Sequence, residues 1–247
     1  MNSPSEKPLL SLIIPVFNEL NNLEAVIKNI MAVNFPGVVE LVLVDDASTD
    51  GSAALVRTLS QQLSQAVPSS EFIFKYHLCP QNQGKGAAIR IGISLASGKI
   101  VGINDADFEY DPQDILALIE PIMGNHSDVV YGSRFQKGSS QVKRTYHYLV
   151  NRLLTLLSNL LSGIYLTDME TCYKFFRSEV LQSMNLISNR FGFEVEVTAK
   201  LGKLKQLRME ELPIRYYPRT QLQGKKINWK DGVAALWHLA YFNLFAS

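Results

Sequence analysis

The chain has 247 residues, 47% of them hydrophobic and 19% charged, which excludes a disordered tail and supplies apolar side chains for one large core or two small ones. A net charge of +1 excludes a uniformly basic nucleic-acid binder. That average hides a division: residues 1–130 carry 7 Lys and Arg against 15 Asp and Glu, a balance of −8, and residues 131–247 carry 17 against 8, a balance of +9. Such asymmetry points to a cation site in one half and to an anion or membrane surface in the other. Cys79 and Cys172 stand outside any CxxC or Cys/His cluster, which fits a reducing compartment and argues against structural zinc. The start, MNSPSEKPLL, has no apolar region behind a basic segment, so no signal peptide is expected. No run reaches the roughly 18 to 20 uninterrupted apolar residues of a spanning helix.

Strands and helical patterns alternate through the first half. LLSLIIPV (9–16) is a nearly continuous apolar run and reads as a buried strand. Leu23, Val26, Ile27, Ile30 and Met31 follow at helical spacing, then a second strand at 40–46, with Asp50 or Ser52 able to cap the next helix. FIFKYHL (72–78) is a third strand, 84–96 a helix and KIVGIND (99–105) a fourth strand. Residues 111–123 form a helix with Pro112 in its first turn, and 128–132 a fifth strand. This order predicts a mostly parallel α/β sheet flanked by helices with right-handed crossovers. Beyond it come an apolar helix (146–162), short elements near Tyr173–Phe176, a helix near Val195–Leu201, a strand-like segment (207–217) and a helix from about Asn228. No linker interrupts the chain, so a single domain, 1–247, is expected.

Four acidic or glycine-rich segments fall at the carboxyl ends of successive strands, where open α/β sheets place ligands. They are PVFNE (15–19), DDASTDGS (45–52), NQGKGAAIR (82–90) and DADFEYDP (105–112). Asp105, Asp107 and Glu109 alternate along one segment, so in extended backbone all three point to the same side. Three oxygen donors facing one way suit Mg²⁺ or Mn²⁺ bridging to phosphate. NQGKGAAIR lacks the ending of a P-loop and the GxGxxG of a dinucleotide site, but Gly84 and Gly86 permit close backbone approach to a ligand and Lys85 adds positive charge.

PVFNE, DDASTDGS, NQGKGAA and DAD, in this order, resemble family 2 glycosyltransferases with the GT-A (Rossmann-like) fold. GSR (132–134), TDMETCYKFF (167–176), FGFEVE (191–196), ELPIRYYPR (211–219) and GKKINWKDG (224–232) extend the likeness toward dolichyl-phosphate mannose synthase and related polyprenyl-phosphate glycosyltransferases. The likeness covers about residues 9–232. It implies a nucleotide-sugar half, 9–132, and an acceptor- and membrane-facing half, 133–247. Pro15, Phe17 and Glu19 would line the nucleotide pocket, with Asp46 near the base or ribose. Asp105, Ala106 and Asp107 would meet the metal and the donor diphosphate, with Lys85 and Gly86 beside them. Glu109 stands where mannose synthases usually have Gln, which argues against GDP-mannose as the donor. Arg134, Arg144, Lys174, Arg219, Lys225 and Lys226 are candidates to gather phosphate oxygens, Arg134 and Arg219 most of all, because arginine pairs with phosphate bidentately. Asp168 would orient the acceptor or Lys174. The catalytic set so implied is Asp107, Asp168 and Arg134, with positioning and charge stabilisation in place of a strong general base. Lys200, Lys203 and Lys205 read as solvated surface charges.

Two apolar segments complete the reading. In Tyr148–Leu166, Asn151, Thr155, Ser158, Asn159 and Ser162 fall on one face, and Leu149, Leu153, Leu156, Leu157, Leu160, Leu161 and Ile164 on the wider opposite one. With Lys143, Arg144 and Arg152 near its start, this helix suits the headgroup region of a bilayer. Val233–Phe245, with Trp237, Tyr241 and Phe242, is similar and too short to span. The expectation is an inverting, metal-dependent enzyme that moves a hexose from a UDP- or GDP-sugar to dolichyl or undecaprenyl phosphate. It would sit in the cytoplasm, peripherally attached to the membrane, with a small membrane protein as a candidate partner and no nucleic acid. The alternatives are a transferase for a soluble or cell-envelope glycan and a non-catalytic nucleotide-binding scaffold.

Overall fold

The computed structural model describes residues 7–68, 70–136, 146–190, 192–219 and 229–245. Seven strands form one sheet: β1 (Leu10–Val16), β2 (Val39–Asp45), β3 (Phe72–Leu78), β4 (Ile100–Ile103), β5 (Val129–Ser133), β6 (Lys174–Arg177) and β7 (Met209–Pro213). Among the described residues eight helices accompany them: α1 (Leu23–Met31), α2 (Ser52–Ala66), α3 (Lys85–Leu95), α4 (Asp114–Met123), α5 (Tyr146–Ser162), α6 (Ser178–Ser183), α7 (Phe193–Gly202) and α8 (Trp229–Leu244).

The sheet order is β3-β2-β1-β4-β6-β5-β7. β1 pairs in parallel with β2 and β4, placing Ile13 opposite both Val42 and Ile103. Every residue of β1 but one and all of β2 is buried, as the apolar runs require of strands covered on both faces. β6 runs antiparallel between β4 and β5. Parallel register brings the loops after β1, β2 and β4 to one edge. Side chains staple the first two together there: Asn18 N–H donates to Ser48 Oγ (2.9 Å), Thr49 N–H to Asn18 Oδ1 (2.8 Å) and Glu19 N–H to Ser52 Oγ (2.9 Å).

α5 is built inside out. Its polar stripe faces the protein, with Thr155 and Ser158 buried, while Leu149, Leu153, Leu156 and Leu160 are 65, 53, 55 and 70% exposed. α8 packs beside it, burying Leu239 and Phe242 and leaving Trp237, Leu244 and Phe245 outside. Among the described residues no helix is long and apolar enough to cross a membrane. Two lysines expected to be solvated have partners instead: Lys203 Nζ donates to the Phe242 carbonyl (2.9 Å), and Lys200 pairs with Glu196 (2.8 Å).

Candidate active site

At the carboxyl edge an acidic cluster gathers around one arginine. Arg219 Nη2 bonds the Asp107 carboxylate, Nη1 lies 3.4 Å from Glu19, and its backbone N–H donates to Glu109 Oε1 (3.0 Å). Tyr216 O–H donates to the other Glu109 oxygen (3.2 Å). Burial and the neighbouring charges of Asp105 and Glu109 push the Asp107 carboxyl up to about 7, against the pull of Arg219. Asp105 is drawn elsewhere: its carboxylate pairs with Lys85 Nζ (2.9 Å), which also meets Glu194 at 3.1 Å. Burial alone would depress the Lys85 ammonium, but the charges of Asp105 and Glu194 outweigh it and hold it well above its ordinary value.

The expected trio of Asp105, Asp107 and Glu109 on one side is therefore corrected. Asp107 Oδ1 accepts the Glu109 backbone N–H (3.0 Å), so the segment folds as a turn and not as a strand. Among the described residues no group of three His, Cys, Asp or Glu side chains is arranged to hold a metal. Asp107, Glu109 and Glu19 instead surround the Arg219 guanidinium, and hard oxygen donors of this kind are the chemistry that suits Mg²⁺ or Mn²⁺.

Gly86 is corrected too. Its N–H donates to the Arg190 carbonyl (3.2 Å), and a Cβ there would lie 2.6 Å from the Ser188 carbonyl oxygen. The close approach that the glycine permits is to the chain's own 188–190 segment, not to a ligand. Asp46 accepts from the Gln83 and Gly84 N–H groups (2.8 and 2.7 Å) and from Asn82 Nδ2 (2.8 Å), so it fixes the NQGKG loop at the site edge. Phe17 is partly exposed at the end of β1, beyond Pro15, and Ala106 is buried between the two aspartates.

On the far side of Tyr216 stands a buried ion pair. Arg134, 8% exposed, donates through Nε and Nη2 to the two oxygens of Asp168, 0% exposed, at 2.7 Å each, and its backbone N–H adds a third bond at 3.0 Å. The rings of Phe135 and Tyr216 each lie 5.3 Å from the guanidinium carbon. Asp168 thus serves Arg134 and not Lys174. Lys174 is fully buried over the Tyr131 ring, its ammonium donating to the Met169 (2.8 Å) and Thr171 carbonyls. Burial draws it down to about 8. With its charge spent inside the loop it does not face an acceptor, and that expectation is withdrawn. Beside it the Glu170 carboxyl is pushed up to about 7 by burial and by Glu194, and its Oε1 makes no hydrogen bond among the described residues. Arg144, Lys225 and Lys226 lie outside the described residues.

Several carboxylates around the site carry no motif that marks them in the sequence. Glu194 and Glu196 were visible only as acids in the apolar run FEVEV. A buried acid demands a partner, and these find Lys85 and the Ile187 and Ser188 N–H groups. Glu211 and Tyr216 lay within ELPIRYYPR without a role.

An open, mostly parallel α/β sheet whose carboxyl edge joins an acidic cluster to arginines defines the class: an α/β protein with a charged candidate site at its strand ends. The chain belongs to glycosyl transferase family 2, which residues 11–184 match. It is 25% identical over 225 residues to the dodecaprenyl-phosphate galacturonate synthase of Rhizobium johnstonii, covering 88% of this chain and 62% of that protein. It is 30% identical over 195 residues to the undecaprenyl-phosphate 4-deoxy-4-formamido-L-arabinose transferase of Aeromonas hydrophila (78% and 56% covered). It is 27% identical over 217 residues to the UDP-N-acetylglucosamine–dolichyl-phosphate N-acetylglucosaminyltransferase of Methanococcus voltae (84% and 85%). The chain thus spans 62% and 56% of the length of the first two. Glucosyl-3-phosphoglycerate synthase from Mycobacterium tuberculosis, solved with Mn²⁺, UDP and glucosyl-3-phosphoglycerate, superposes with a TM-score of 0.67 at 17% identity (96% of this chain, 80% of that one). That likeness is one of fold, and the fold is GT-A.

Proposed function

We propose that this protein is a single-domain, inverting glycosyltransferase that moves a hexose from a nucleotide-sugar to a polyprenyl phosphate at the cytoplasmic face of a membrane. The observation that carries the reading is the inside-out helix α5. Its exposed leucines offer a lipid-facing surface continued by Trp237 and Leu244 of α8 and by Phe245 just after it. Its inward polar stripe holds the loop that bears Asp168: Met169 N–H donates to Thr155 Oγ1 (3.1 Å), and Leu166 N–H donates to Asn159 Oδ1 (3.1 Å). One helix therefore links an apolar outer face to the Arg134–Asp168 pair, which suits a substrate with its tail in lipid and its phosphate at the protein. The names of the three relatives, one a dodecaprenyl-phosphate synthase and two transferases named for undecaprenyl or dolichyl phosphate, support the same substrate class.

An acceptor phosphate oxygen attacks the anomeric carbon, the bond from that carbon to the diphosphate breaks, and the nucleoside diphosphate leaves with inversion. The acceptor is already ionised near neutral pH, so the chain's task is to orient two phosphate-bearing substrates. Arg134 sits on the acceptor side and Arg219 on the donor side, with Phe17 and Asp46 near the nucleotide. Asp107, Glu109 and Glu19 would hold Mg²⁺ or Mn²⁺, which when bound neutralises the leaving diphosphate. Purified protein, Mn²⁺ or Mg²⁺, labelled UDP- and GDP-hexoses and undecaprenyl phosphate should transfer label into the organic phase. Transfer to a glycan instead, or nucleotide binding without turnover across the donor panel, would refute the proposal.

A further inference from the structure

Residues 163–173 contain no helix or strand, yet side chains from three elements fix the backbone that presents Asp168. Asn159 of α5 accepts the Leu166 N–H (3.1 Å) and donates to its carbonyl (2.8 Å). Arg152 and Thr155, on the same helix, hold Thr167 O and Met169 N. Lys174 of β6 holds the Met169 and Thr171 carbonyls. At the centre is Glu211 of β7. Its carboxylate accepts the Thr167 N–H (2.9 Å), the Asp168 N–H (2.9 Å) and the Thr167 hydroxyl (2.8 Å), while Ser133 Oγ, one residue before Arg134, lies 2.6 Å from the same hydroxyl.

We propose that Glu211 is a positioning residue for the acceptor-side arginine, acting through the backbone of Thr167 and Asp168. The proposal rests on the reading that Arg134 meets the acceptor phosphate. Only a carboxylate presents acceptor lone pairs on both oxygens to two successive N–H groups and a hydroxyl. A glutamine of the same shape turns an NH₂ donor toward one of those donors. The bidentate grip of Asp168 on Nε and Nη2 depends on where its backbone stands, since such pairs are held by direction as well as by charge. Loosening Glu211 therefore lets the guanidinium turn away from the Phe135 and Tyr216 rings, while Arg219, beyond Tyr216, keeps its own bonds to Asp107 and Glu109.

The test uses the full chain and farnesyl phosphate, a short polyprenyl phosphate, titrated by calorimetry. UDP and GDP, each with Mn²⁺, are titrated separately. Glu211→Gln should weaken farnesyl phosphate binding about tenfold and leave the nucleotide that binds within about twofold. Thr167→Val removes the hydroxyl's bonds to Glu211 and Ser133, leaves both N–H bonds to Glu211 and should shift lipid binding in the same direction by less, which covers the case in which Glu211→Gln fails to fold. Arg134→Lys checks the underlying reading. Unchanged farnesyl phosphate binding in Arg134→Lys overturns that reading and this proposal with it. A loss in Arg134→Lys but none in Glu211→Gln or Thr167→Val overturns the positioning role alone. Equal loss of lipid and nucleotide binding in Glu211→Gln shows a general structural role and also overturns it.

Discussion

Replacing Arg219 by alanine removes the cation that, among the described residues, pairs with Asp107, Glu19 and Glu109. The guanidinium bonds Asp107, lies 3.4 Å from Glu19 and 3.9 Å from Glu109, and is 18% exposed beside carboxylates 7 to 17% exposed. Two unit charges at such a distance interact by about 5 kcal/mol at an effective dielectric near 20, most of which desolvation offsets. The net worth of a charge-assisted hydrogen bond, about 1.5–3 kcal/mol, is the better guide to what an incoming ion must displace. Arg219→Ala should therefore tighten binding of Mn²⁺ alone by roughly 10- to 100-fold, at about 1.4 kcal/mol per factor of ten. With a nucleoside diphosphate present the order should reverse, because the displaced arginine is then missing from the phosphates. Titration of Mn²⁺ followed by the electron paramagnetic resonance signal of the free ion measures both cases, with Asp107→Asn as the variant that should lose binding in each. Equal affinity of wild type and Arg219→Ala for Mn²⁺ without nucleotide would falsify the idea that the arginine occupies the metal's place.

Asp168→Ala leaves Arg134 buried without a counterion and should cost about 3–5 kcal/mol, seen as a thermal midpoint lowered by roughly 6–20 °C. A drop under 2 °C would mean that the guanidinium finds another home. Leu156→Glu with Leu160→Glu should abolish sedimentation with anionic vesicles and leave the melting temperature within about 1 °C, since both side chains are more than half exposed. Persistent vesicle binding would move the membrane surface elsewhere. Hydrogen bonds from Arg208, outweighing burial and joined by Arg177, hold Asp128 down at about 2. A depressed carboxyl pKa stabilises the fold above its unfolded value near 4 and loses that effect as pH falls toward 2. The stability gap between wild type and Asp128→Asn, measured by thermal melts, should be constant from pH 7 to 5 and shrink below pH 4.

Much of this was legible in the linear sequence. The apolar runs of β1 and β2, the helical spacing of α1 and the full extent of α5 follow from periodicity, a local property that needs no knowledge of the chain's route. The acidic loops at successive strand ends followed too, because a parallel sheet places them together. Even the two faces of α5 were readable, but not which one looks outward. That depended on α7, α8 and the 166–169 loop packing against its polar stripe.

What only the tertiary structure decided are the pairings between residues far apart in the chain. Antiparallel β6 enters between β4 and β5, a placement that its four residues do not announce. Asp107 meets Arg219 across 112 residues, Asp168 meets Arg134 across 34, and Glu211 meets Thr167 across 44. Lys174 turns inward to carbonyls, and Gly86 faces its own chain. A charged side chain carries its valence in the sequence but not its direction. Direction is set by which opposite charge the folded backbone brings within hydrogen-bond reach, and by the cost of leaving either one buried alone.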